Sequence, residues 1–235
     1  MPVLLSLETS TDVCSVAVHR DDALLAIAEV HINQAHASRL ALLINQVMNV
    51  AGVAMSGLTG VAVSSGPGSY TGLRIGTSTA KGLCFALGVP LLSAGTLDVM
   101  ARQMMSVSIK DVLLGPMIDA RRMEVYCALY NSEGNRLSEV EARVIDADSF
   151  VERLKTERII FGGNGAAKCR SVITHPNASF LEGIFPSARH LGDLCYRKLV
   201  EGDAEDLMRF EPFYLKDFKA KLPSNIIAPA VNKPA

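Results

Sequence analysis

The chain opens on short runs in which apolar and polar positions alternate. Pro2 to Leu7 is apolar and ends in Glu8-Thr9-Ser10-Thr11, Cys14 to His19 alternates, Arg20-Asp21-Asp22-Ala23 interrupts, and Leu24 to Ile32 alternates again. Period-two runs separated by turn residues predict a three-stranded meander with an acidic, hydroxyl-rich loop after its first strand. From Ala37 to Ala51 the period lengthens. Leu40, Leu43, Ile44, Val47 and Ala51 fall on one helical face, and Gly52 ends it. Val61-Ala62-Val63-Ser64 reads as a buried strand, and the residues after the next loop support a helix to Leu87, with Gly88 as its stop and Ser69 or Thr71 as its hydroxyl cap. Val89 to Ser93 predicts a further strand, and Thr96 is expected to cap a helix through about Met105.

The pattern then restarts. Val112 to Ile118 is an apolar strand ending in Asp119-Ala120-Arg121, followed by Val125 to Tyr130, the turn Ser132-Glu133-Gly134, and a strand from about Leu137 to Val144. Glu8 and Asp119, Cys14 and Val125, and Asp21 and Ser132 are each 111 positions apart. A constant offset between matching landmarks predicts two copies of one unit. The second copy continues with a helix from Ala147 to Lys155, a strand from Arg158 to Phe161, the loop Gly162-Gly163-Asn164-Gly165, and a helix from about Ser187 to Glu201. The division expected is a first lobe over residues 1–108, a second over 109–215 and a partly disordered tail over 216–235, beyond about Leu222 a mobile end or an extended arm.

Between the fourth strand and its helix lies Gly66-Pro67-Gly68-Ser69-Tyr70-Thr71-Gly72-Leu73-Arg74-Ile75-Gly76. A strand, a glycine loop and a helix start can bind an anion through exposed backbone N–H groups. The loop lacks the Gly-Lys-Ser/Thr of a Walker sequence and places Gly72 one residue late for a dinucleotide fingerprint, so a structural turn is the first reading and phosphate binding the second. Gly72, Gly76, Ala80, Cys84 and Gly88 recur every fourth residue, a face almost without side chains. Helical glycine costs about 1 kcal/mol against alanine and needs an offset, usually close approach of other backbone. The residues alone leave two partners open for that face: the chain's own fold, or a second protein.

Composition narrows the classes. The 235 residues are 49% hydrophobic with a net charge of −1, enough for one large or two small cores and too neutral for a broad nucleic-acid grip. The five cysteines are scattered and form no C-x-x-C pair, which argues against a disulfide framework or a zinc knuckle. Without a basic leader or a membrane-length apolar run, a cytoplasmic protein with no membrane partner is expected.

The run Gly66 to Gly76 closely resembles the hallmark loop and helix of the TsaB (YeaZ) family of tRNA threonylcarbamoyladenosine biosynthesis proteins. Leu7-Glu8-Thr9-Ser10, Ile118-Asp119-Ala120-Arg121, Glu124-Val125-Tyr126 and Glu211-Pro212-Phe213-Tyr214-Leu215 extend the resemblance over most of the chain. It implies an α/β fold of two tandem RNase H-like (actin-like ATPase) lobes, each a mixed sheet that opens with a three-stranded meander and carries flanking helices. It further implies a partner subunit that binds a TsaD-type catalytic protein helped by a TsaE-type ATPase, meets tRNA only through the complex, and forms a homodimer when alone. Gly72, Leu73, Gly76 and Ala80, joined by Leu40, Ile44 and Val47 from the preceding helix, are then the expected partner-binding residues. No intrinsic cofactor is implied, and ATP or ADP with Mg²⁺ is left open for the complex.

The acids are the first candidates for chemistry. Glu8 and Asp119, if brought to face each other across a cleft, could hold Mg²⁺ through water, with Thr9, Ser10, Gly68, Ser69 and Arg121 near the phosphates; the alternative, an inherited but idle cleft, is that they cap turns or pair with a base such as Arg121. No lysine or second metal set of a working kinase accompanies them. The TsaD type carries a helical histidine pair after its equivalent of Val89–Ser93, whereas this chain reads Ser93-Ala94-Gly95-Thr96-Leu97-Asp98 there; His31 and His36 are a poor metal pair. The serine frame G-x-S-x-G is absent, so peptidase activity is not expected. A small-molecule or sugar kinase of the same superfamily is the alternative function, and a direct RNA-binding module a third.

Overall fold

The computed structural model describes residues 1–32, 36–107 and 111–216. Two five-stranded sheets form, and they share one plan. In the first, β1 (Val3–Glu8), β2 (Cys14–Arg20) and β3 (Ala23–Val30) make the antiparallel meander, while β4 (Gly60–Ser64) and β5 (Leu91–Ala94) join β1 in parallel, giving the order β3-β2-β1-β4-β5. In the second, β6 (Leu113–Asp119), β7 (Glu124–Cys127), β8 (Glu141–Val144), β9 (Ile159–Gly162) and β10 (Ala178–Leu181) give β8-β7-β6-β9-β10. Each sheet therefore has its first strand at the centre, and Glu8 and Asp119 are the last residues of those strands. These are the two copies of one unit expected from the repeat.

The helices differ between the halves. α1 (His36–Val50) and α2 (Tyr70–Leu87) pack on the first sheet, where Leu40, Leu43, Ile44 and Val47 meet Leu5, Leu7, Val16 and Val61. Ser69 caps α2 through its side chain, and Gly88 closes it at φ 67°. Their counterparts, α4 (Val151–Leu154) and α5 (Ala166–Cys169), are single turns. The predicted helix over 147–155 contracts to α4 because Phe150 takes a left-handed conformation immediately before it. α3 (Thr96–Met105) starts after Gly95, not with Thr96 as its cap; the Thr96 hydroxyl is buried with no hydrogen-bond partner among the described residues.

The second meander is less regular than its pattern suggested. Pro116 sits in the central strand, where it has no N–H for the ladder. β7 ends at Cys127, and pairing resumes at Tyr130, which exchanges two backbone hydrogen bonds of 2.9 Å with Leu114. The strand expected from Leu137 likewise begins only at Glu141.

α3 and α6 (Ala188–Glu201) tie the lobes together. α3 buries Leu97, Met100, Ala101 and Met104 against Leu114, Ile118 and Tyr130 of the second half, whereas α6 returns Leu191 and Cys195 to Leu4, Ala62 and Leu92 of the first. A cut between 108 and 109 thus parts the sheets but not the packed layers. The tail expected over 216–235 lies outside the described residues after Lys216.

One buried group on this seam titrates. His19 of β2 is 1% exposed beneath Gly192 of α6, where any Cβ would strike the ring, and neither ring nitrogen has a hydrogen bond among the described residues. Burial holds its pKa below the ordinary 6.5, against the pull of Asp193, whose carboxylate lies 3.8 Å away. The charge of Arg189 in α6 adds to the depression, while Asp22 and the Arg189 backbone oppose it. The unfolded chain then takes up the proton more readily. Stability that is fully present above pH 6.5 is therefore lost as pH falls from there through the folded-state value. The melting temperature of the wild type should drop below pH 6.5 more steeply than that of His19→Leu; parallel profiles would refute the assignment.

Candidate functional site

The C-terminal ends of β1 and β4 converge on one buried carboxylate. Glu8 is 0% exposed; its Oε1 accepts the Ser10 N–H at 2.7 Å and the Ser10 hydroxyl at 2.5 Å, and its Oε2 accepts the Ser64 hydroxyl. Burial raises its pKa, and the serine hydrogen bonds oppose that rise. The loop that follows is stitched to both helices. The Thr9 hydroxyl donates to Gly72 O at 2.8 Å, the Ser69 N–H to Ser10 O at 2.7 Å, and His36 Nε2 lies 2.6 Å from Thr11 O.

This loop fills the space that the glycines leave open. A Cβ on Gly68 would collide with Ser10 O, one on Gly72 with Thr9 O, and one on Gly76 with Thr9 Oγ1. The small-residue face of α2 is therefore occupied by the chain itself. Leu40, Ile44, Val47, Leu73 and Ala80 are each at most 4% exposed, and Gly72 and Gly76 are buried with them. The seven residues expected to bind a partner are corrected on this point: their side chains form the interior of the first lobe. Sequence periodicity selected them because core and interface select the same apolar, small residue types.

Asp119 sits in the other lobe among other partners. It ion-pairs with Lys168 and accepts the Arg121 N–H at 2.8 Å, while its own N–H donates to Asn164 Oδ1 at 2.9 Å. Glu8 bonds only within the first lobe and Asp119 only within the second, among the described residues. Thr9, Ser10, Gly68 and Ser69 are engaged in the β1–β2 loop contacts, and the Arg121 side chain pairs with no acid among the described residues. Between the lobes, residues 211–216 form a strap. Phe213 donates its N–H to Ser65 O at 2.7 Å, Tyr214 packs on Tyr70 with ring centroids 5.0 Å apart, and Lys216 pairs with Glu124. The strap roofs a hollow of about 170 Å³ beside Gly66, Asp98 and Arg136, and a second of about 650 Å³, lined by Asp98, Arg102, Arg136 and Asp193, adjoins it, within the roughly 300–1,000 Å³ of ordinary ligand pockets. These residues do not fit a magnesium–nucleotide: both acids and the Ser69 N–H already have internal partners.

The outward faces of α1 and α2 have a different character. Leu42, Val50 and Phe85 are 45%, 80% and 80% exposed. Ser78, Gly82 and Ala86 form a second four-residue stripe, all exposed, and a Cβ on Gly82 would meet nothing within 4 Å. No acidic residue occurs between Glu29 and Asp98. Sequence reasoning passed over this stripe, although Gly82 stood out as a mid-helix glycine off the inner face.

The sequence profile of the family described as "TsaD: tRNA N6-adenosine threonylcarbamoyltransferase" matches residues 29–227. The chain is similar to the tRNA threonylcarbamoyladenosine biosynthesis protein TsaB of Bacillus subtilis (strain 168), 30% identical over 174 residues, covering 72% of this chain and 74% of that protein. The TsaB protein of Escherichia coli (strain K12) is 28% identical over 229 residues, covering 94% and 98%. Among solved structures, YeaZ from Pseudomonas aeruginosa superposes with a TM-score of 0.76 at 27% identity, covering 92% of this chain and all of that one. A second structure from that organism, an uncharacterized protein with similarity to peptidase YEAZ, reaches 0.81 at the same identity and coverage.

Proposed function

Because the chain belongs to the TsaB (YeaZ) family, we propose that it is the non-catalytic partner subunit of tRNA N6-threonylcarbamoyladenosine synthesis, binding and supporting a TsaD-type threonylcarbamoyltransferase. In this reading it works in the cytoplasm beside a TsaE-type ATPase, holds no cofactor of its own, and leaves any Mg²⁺–nucleotide to the assembled complex. No described helix is long and apolar enough to cross a membrane.

The observation that carries the docking claim is Gly82. A glycine in mid-helix costs about 1 kcal/mol against alanine, and nothing among the described residues approaches the missing side chain. The inner glycines are explained by the Thr9 loop; Gly82 is explained by a partner's backbone laid along the Ser78–Gly82–Ala86 stripe, with Phe85 and Leu42 buried beside it. Gly82→Leu should leave the free chain folded, because open space lies above it, and should abolish co-sedimentation with the TsaD-type protein. Gly82→Ala should raise the melting temperature slightly and weaken the complex less. An undiminished complex with Gly82→Leu would overturn the reading.

A further inference from the structure

The tip that joins β6 to β7 holds two consecutive arginines in an unusual backbone state. Arg121 has φ 72° and Arg122 φ 51°, the left-handed region that glycine, asparagine and aspartate enter cheaply and arginine does not. Both are exposed, and neither guanidinium makes a hydrogen bond or ion pair among the described residues. The tip is nevertheless braced. Lys168, 23% exposed, donates to Arg122 O at 2.6 Å and Glu124 O at 2.7 Å and pairs with Asp119, while Asp119 also takes the Arg121 N–H at 2.8 Å. Asp119 is neutralised by Lys168 and Glu124 by Lys216, so among the described residues the two guanidiniums are the unpaired charge of the tip.

The tip continues a line of cations and rings. Tyr126 of β7 lies in the field of Lys216 and Arg121; two residues before Lys216, Tyr214 packs on Tyr70; and the Tyr70 hydroxyl accepts from Arg74 at 2.9 Å. We propose that this strip, with Arg121 and Arg122 as its principal contacts, binds the phosphodiester backbone of the tRNA within the complex. The proposal rests on the function given above and adds to it a direct contact by this subunit. Guanidinium forks suit phosphate oxygens, and a braced turn presents both of them without further ordering. The net charge of −1 is no obstacle, because the strip is local and supplements the hold of the other subunit.

The test is fluorescence anisotropy of unmodified tRNA with the full chain joined to its TsaD-type partner, over a salt series, comparing the wild type with Arg121→Gly/Arg122→Gly and with the double lysine variant. Each lost phosphate contact removes ~0.7–0.9 from the salt slope, so the glycine pair should lower it by about 1.5 and weaken binding about tenfold at low salt, while lysines retain most of both. Glycine relieves the left-handed strain, so the melting temperature should hold or rise. Unchanged affinity and slope, equal loss in the lysine variant, a fall in melting temperature, or arginine-dependent binding of pyrophosphate without tRNA would each overturn the proposal. Co-sedimentation of the two proteins reads the docking claim separately, since none of these substitutions lies on the α1–α2 face.

Discussion

Gly76→Leu is expected to unfold the first lobe, whereas Gly82→Leu, six residues along the same helix, is not. At Gly76 a Cβ already overlaps Thr9 Oγ1 and stands 3.4 Å from Val63 Cγ2. A leucine must displace the Thr9 loop, and that loop carries the hydrogen bonds from Thr9 to Gly72, from Ser69 to Ser10 and from Ser10 to Glu8. Overpacking costs typically 1–3 kcal/mol, and each lost hydrogen bond ~1 kcal/mol or more. The sum, roughly 4 kcal/mol or above, is a large part of an ordinary stability of about 5–15 kcal/mol. The helix-propensity gain of ~1 kcal/mol does not offset it. Urea denaturation of the free chain reads the difference: a strongly lowered midpoint for Gly76→Leu, an intermediate one for Gly76→Ala, and a value near wild type for Gly82→Leu. A midpoint near wild type for Gly76→Leu would show that the inner face is not held by the Thr9 loop.

The contrast between these two glycines marks what the sequence could disclose. Spacing revealed that α2 has a face of small residues, and composition revealed that something must approach it. Neither says from which side. The seven residues singled out as docking contacts followed the apolar stripe, and an apolar stripe points first at the chain's own sheet. The face proposed for a partner is the opposite one, read from Leu42, Phe85 and Gly82 only once burial is known. The absence of any acid between Glu29 and Asp98 was visible in the sequence and belongs to the same face.

The repeat was legible for a different reason. Its landmarks sit at strand ends and turns, where residue type is set by local geometry: acids closing β1 and β6, and turn residues at 21 and 132. The exchange of α3 and α6 between the sheets was not, because an amphipathic helix advertises a buried face without naming its neighbour. Val112 to Ile118 reads as an unbroken apolar strand although Pro116 stands within it, and the ladder is interrupted beside that proline, between Met117 and Leu114.

Glu8 decides between an inherited structural role and a catalytic one. Its carboxylate accepts from the Ser10 N–H, the Ser10 hydroxyl and the Ser64 hydroxyl in full burial. Glu8→Leu would strand those three donors at ~1–3 kcal/mol each, so a loss of about 3 kcal/mol or more is expected. Glu8→Gln, which turns an amide NH₂ toward a donor, should fall between. The pH dependence carries a sign that a metal ligand would not give. Burial raises the folded-state pKa above the usual 4.5, so the contribution of Glu8 to stability is complete below pH 4.5 and declines as pH rises through the folded value. The advantage of the wild type over Glu8→Gln in melting temperature should therefore be largest in acid and shrink upward. If Glu8 served a magnesium–nucleotide instead, glutamine would leave the melting temperature intact and remove Mg-ATP binding in calorimetry. The serine partners predict the reverse, because the atoms that would reach a metal already hold the turn on which both helices of the first lobe rest.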